Sequence, residues 1–161
     1  MPPESPVLQL FQRVLRLLVW LNLLFAVAVV AAFGALLVAP ERFMALLGSR
    51  DPSVALIAGM RLLAVIGVAS VPLAHIVLTR LLAIVATVRD GDPFVAENAA
   101  RLRRMAWALL GLEAMHLVAI AVAVRVSDAS NKLDWSFSFT GWLAVLLLFV
   151  LAEVFAHGSR L

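Results

Sequence analysis

The chain has 161 residues, and its apolar fraction of 64% against a charged fraction of 14% departs from the roughly 45–50% and about 25% usual in soluble globular proteins. A soluble domain of this length has too little interior to hide so much apolar side chain, whereas lipid requires no such interior. The net charge of +3 is too small and too tied to loops to indicate direct nucleic-acid binding, and the absence of cysteine excludes disulfides, thiolate metal sites and cysteine nucleophiles.

Residues 1–10 hold three prolines and one glutamate and read as a loose start. Arg13 and Arg16 then precede twenty-four residues without a charge, 17–40. A bilayer core of about 30 Å needs roughly 20 helical residues, so a first span is expected at 14–38. A cleaved secretory signal has a shorter apolar core, about 7–15 residues, and further spans follow here, so the helix reads as retained. Asn22 is its single strongly polar interior residue.

The connection that follows contains Glu41-Arg42-Phe43-Met44-Ala45-Leu46-Leu47-Gly48, a two-turn interfacial helix closed by glycine. A second span is expected at 54–79. Gly59, Gly67 and Ser70 offer close-packing surfaces within it, and Pro72 is a place for a kink. The helical pattern continues past the membrane border through Leu81, Leu82, Ile84, Val85 and Val88.

Asp90-Gly91-Asp92-Pro93 then stops one helix and starts the next. Glycine tolerates the left-handed residue that closes a helix, Asp92 is placed to cap the following one, and proline fits a first turn. Beyond it Val95, Ala99 and Leu102 form an apolar stripe, with Glu97 and Arg101 at pairing distance on a helix. Spans two and three are therefore expected to extend into a cytosolic antiparallel hairpin. Span three is placed at 104–125. A polar outer loop with Asp128, Asn131, Lys132 and Asp134 leads to span four at 137–156, begun by Trp135 and Trp142.

Four arginines, Arg89, Arg101, Arg103 and Arg104, lie within sixteen residues, the charge signature of a cytoplasmic loop. With both termini inside, the inner segments hold eight lysines and arginines and the outer ones five. The expected fold is all-α, a four-helix membrane bundle forming a single domain over 1–161, with both termini cytoplasmic.

Polar residues inside a span are costly and usually have a purpose. Glu113 and His116 share a helix face, and counting back from the turn puts His75 at a similar depth, so the three are expected to meet between spans two and three. Mutual hydrogen bonding is the plain reading of that group. The sharper one is a metal or haem site. Glu-x-x-His occurs in carboxylate-bridged di-metal bundles, but those need the motif on two helices, and only Glu113-x-x-His116 fits. Glu153 and His157 form a second pair near the inner border. The required glycine and lysine spacing of a phosphate loop is missing, and no serine has a nucleophile-elbow setting, so an enzyme is disfavoured and no cofactor is expected.

Arg89-Asp90-Gly91-Asp92-Pro93-Phe94 with Glu97-Asn98-Ala99 and Arg101-Leu102-Arg103-Arg104, and Phe139-Thr140-Gly141-Trp142-Leu143-Ala144 leading to Ala152-Glu153-Val154-Phe155, together resemble a bacterial membrane family catalogued as domain of unknown function 2975. The similarity is sharpest over residues 80–107 and 137–158. It implies a four-span bacterial inner-membrane protein of a kind often encoded beside a small helix-turn-helix regulator. It carries no established chemistry. The short acidic tail that members carry after the last span has no counterpart in the sequence to Leu161.

The expected function is thus non-enzymatic: a membrane partner that binds or regulates such a regulator through the hairpin at 80–104. Arg89, Asp92, Glu97, Arg101, Arg103 and Arg104 are the candidate contacts, with membrane lipid and a homo-oligomer as further partners. The alternatives are a redox or metal-binding bundle using His75, Glu113 and His116, and a small transporter-like oligomer.

Overall fold

The computed structural model describes residues 6–48, 53–89, 91, 95–126 and 139–158. Every element among them is a helix: α1 (Pro6–Val38), α2 (Pro40–Leu46), α3 (Val54–Arg89), α4 (Ala96–Val126) and α5 (Phe139–Gly158). All but α2 are long and apolar enough to cross a membrane, which places the chain among multi-pass membrane proteins. The outer loop with Asp128 and Trp135, and the expected cap at Asp92 and Pro93, lie outside the described residues.

Helix boundaries fall where local chemistry puts them. Pro40 opens α2, and its ring excludes the helical conformation at the preceding Ala39, which sits at φ −142° and breaks α1 from α2. Gly48 takes φ +89° and donates its N–H to the Ala45 carbonyl at 3.1 Å, closing α2 as expected. Gly91 adopts φ +90° just past α3 and donates to the Val88 carbonyl at 3.3 Å. Ser53 caps the start of α3, its hydroxyl accepting from the Leu56 N–H at 3.1 Å. Pro72 lies inside α3 without ending it.

Of the stretch 1–10 expected to be loose, the described residues 6–10 are helical, α1 running from Pro6. Proline at a first helical position loses no hydrogen bond, since that N–H has no partner within the helix. α3 and α4 run to 36 and 31 residues, about 54 and 46 Å at 1.5 Å per residue, well beyond the hydrocarbon thickness.

The long helices pack antiparallel and in chain order. α1 lies on α3, α3 on α4, and α4 on α5, with the short α2 in contact with α1. Among the described residues no extended contact joins α1 to α5, so the bundle is an open row rather than a closed ring. Gly67 of α3 meets Val29 of α1, a Cβ there falling 3.1 Å from Val29 Cγ1, and Gly111 of α4 meets Leu73 in the same way at 3.0 Å. The missing side chains let the helices approach. Asn22 donates to the Val71 carbonyl of α3 at 3.4 Å, so the one strongly polar side chain in the uncharged stretch of α1 is directed at protein.

The hairpin of α3 and α4 does not stand alone. Gln12 of α1 accepts from Arg89 at the end of α3, and Glu153 of α5 meets Arg103 of α4. The outer helices therefore flank the extension on both sides, because α1 begins eight residues before the expected span at 14. This end of the row carries Arg89, Arg101, Arg103 and Arg104 and is its basic end. The buried side chains concentrate there, at Asn98, Ala99, Leu102, Met105, Ala106 and Ala108 of α4. Along the apolar windows of α1 and α3 only 6% of residues are buried inside the protein, as suits surfaces that face lipid.

Candidate functional site

The basic end is built on a buried polar contact. Asn98 is 0% exposed, and its Nδ2 donates to Thr87 Oγ1 across the α3–α4 interface at 2.7 Å. Thr87 Oγ1 in turn donates to the Ile84 carbonyl at 2.8 Å. On the other side Arg101 Nη1 donates to Asn98 Oδ1 at 2.7 Å. Arg101 thus holds the buried amide, where the sequence spacing pointed to Glu97, which is exposed. A buried amide between two helices fixes their register, because any slip strands its polar atoms away from a partner. Neither Asn98 nor Thr87 stood out as functional in the sequence. The signal was the spacing of Asn98, Leu102 and Met105, which places an amide on the apolar seam.

Arg103 Nη2 pairs with Glu153 Oε1 at 2.8 Å, with side chains 54% and 61% exposed. His157 does not pair with the Glu153 carboxylate; its Nδ1 lies 2.9 Å from the Glu153 carbonyl, one turn back along α5. Arg89 Nη1 donates to Gln12 Oε1 at 3.4 Å on the surface. Arg104 is exposed and shares a groove between α3 and α4 with Arg80. Of the candidate contacts, Arg89, Arg101, Arg103, Arg104 and Glu97 gather at this end, and Asp92 lies outside the described residues.

The three residues expected to meet within the membrane are distributed differently. Glu113 lies against α5, where a Cβ at Gly141 would overlap its carboxylate. A side chain at 141 would require the carboxylate to move aside. Leu73 sits against Gly111, so His75 falls level with residue 109, about 10 Å along the axis from His116 at 1.5 Å per residue. His75 Nδ1 is buried and has no hydrogen-bond partner among the described residues, while its carbonyl accepts from Thr79 Oγ1 at 2.7 Å. The expected meeting between spans two and three is therefore not made. Depth counted from the turn was a poor guide, because it does not say which neighbour a side chain faces. Among the described residues no three histidine or acidic side chains are grouped to hold a metal.

At the opposite end Arg61 donates through Nε and Nη2 to the Leu36 carbonyl, at 3.2 and 3.1 Å. That carbonyl belongs to the last turn of α1, which has no donor within its own helix. A positive charge there also suits the helix dipole.

Comparison of the chain with family models, with curated proteins and with solved structures returns no match.

Proposed function

We propose that this is a non-enzymatic bacterial inner-membrane protein, with its basic end and both termini in the cytosol, that binds or regulates a small helix-turn-helix regulator through residues 80–104. The observation that carries this reading is the gathering of Arg89, Arg101 and Arg103 at one end of a helix pair pinned by the Asn98–Thr87 contact. It offers charge on a rigid support, which favours fast and selective capture of an acidic protein face. The excess of arginine at that end supports its cytosolic placement. The resemblance of residues 80–107 to a family encoded beside such regulators supports the choice of partner.

The test is co-purification of the neighbouring regulator with the full chain and with an Arg89→Glu/Arg103→Glu variant. Both side chains are exposed and fill no core, so the variant should elute as the native protein does while losing the regulator. Undiminished co-purification rejects this reading.

A further inference from the structure

We propose that the groove between α3 and α4 beside the basic end binds one anionic phospholipid. Its phosphate is held between Arg80 and Arg104, and an acyl chain lies along Leu73, Ile76 and Ala108. The groove has a volume of 390 Å³ and is lined by Leu73, Ile76, Arg80, Arg104, Trp107 and Ala108.

Three observations lead to this ligand. The first is charge. Two guanidinium groups line the groove and no acidic side chain does. Arg80 Nε is buried without a hydrogen-bond partner among the described residues, whereas Arg103, one residue from Arg104, has Glu153. A guanidinium nitrogen removed from water and left unpaired is a state that proteins avoid, and a phosphate oxygen is an acceptor that fits the fork it belongs to.

The second is depth. On α3 the uncharged stretch 62–79 separates Arg61 from Arg80, about 27 Å at 1.5 Å per residue. On α4 residues 105–124 separate Arg104 from Arg125, about 30 Å by the same rise. Both match the hydrocarbon thickness. Arg80 and Arg104 thus stand at one membrane border, at headgroup level.

The third is the lining beyond the arginines. Four of the six lining residues are apolar, which suits a chain rather than a free anion. Trp107 stands one turn deeper than Arg104, 61% exposed and held edge-on to Phe149 with ring centroids 5.3 Å apart. A tryptophan at this depth is at home against the glycerol region. A zwitterionic headgroup would bring a third positive charge beside two that have no acidic partner among the described residues, so the lipid is anionic. This goes beyond docking of a regulator and assigns Arg80 and Arg104, within the same 80–104 stretch, to lipid.

The test is native mass spectrometry of the full-length protein given an equimolar mixture of dioleoylphosphatidylglycerol and dioleoylphosphatidylcholine. The protein should retain the glycerol lipid in about tenfold preference, as two interfacial arginines allow. Arg80→Gln and Arg104→Gln should each bring that preference close to parity, and Arg103→Gln should leave it intact. Should Arg80→Gln fail to fold, the exposed Arg104 carries the test alone. Equal retention of the two lipids by the native chain, or a preference that survives Arg104→Gln, overturns the site. So does displacement of the lipid by millimolar inorganic phosphate, which would mark a free-anion site instead.

Discussion

Asn98 of α4 and Thr87 of α3 share a 2.7 Å hydrogen bond in the most completely buried part of the protein. Truncating the amide in Asn98→Ala leaves Thr87 and Arg101 short of partners and opens a small void. A loss of about 1–3 kcal/mol is expected, read as a lower midpoint in detergent-titrated unfolding. Asn98→Leu should cost less in stability, yet let the two helices adopt more than one register. Cysteine cross-linking between the helices would reveal that register as several products in place of one. A single product from Asn98→Leu would show that the amide does not set the alignment.

Gly141 and Glu113 form the second tight relationship, since any β-carbon on Gly141 overlaps the carboxylate. The overlapping atoms are the far end of a flexible side chain that can swing aside, so Gly141→Ala should destabilise by at most about 1 kcal/mol, the low end of the overpacking range. Shortening the acid in Glu113→Ala should return most of that loss. The double-mutant cycle measures the coupling directly. Additive losses would mean that the two residues do not meet.

Arg61 spans two helices by donating twice to the Leu36 carbonyl. Arg61→Met keeps much of the apolar stem and removes both bonds. Hydrogen bonds involving a charged group contribute about 1.5–3 kcal/mol, so the variant should lose stability in that range. Hydrogen exchange in the last turn of α1 should also quicken. Unaltered exchange there would count against the cap.

The Arg103–Glu153 pair should matter far less. Both side chains are more than half exposed, and surface pairs of this kind contribute about 0–1 kcal/mol. Arg103→Gln should shift the unfolding midpoint little, and added salt should erase what difference there is. A large, salt-insensitive loss would show that the pair is shielded from water.

The helices were legible in the sequence because lipid imposes long uncharged runs, and the turns at Gly48 and Gly91 because only glycine adopts their φ readily. The packing partners were not legible. Whether Glu113 faces α3 or α5 depends on the rotation of α4 about its axis, and an apolar helix surrounded by apolar neighbours carries little signal of that rotation. Leucine and valine face lipid and protein with nearly equal ease. Arg101 was misassigned to Glu97 for a related reason. Helical spacing permits that pair, but a buried amide competes for the same guanidinium and leaves water the acid. The helical start at Pro6 was obscured because proline signals both a loose segment and a helix opening.

Packing in chain order has a consequence for how the molecule is made. Each long helix finds its neighbour in the one synthesised just before it, so no partner must be awaited from far along the chain. Assembly can keep pace with translation, one helix docking as the next emerges, and contacts between near neighbours in sequence are those that form fastest. Apart from α5, the helices that α1, α3 and α4 pack against all precede residue 127 in the sequence.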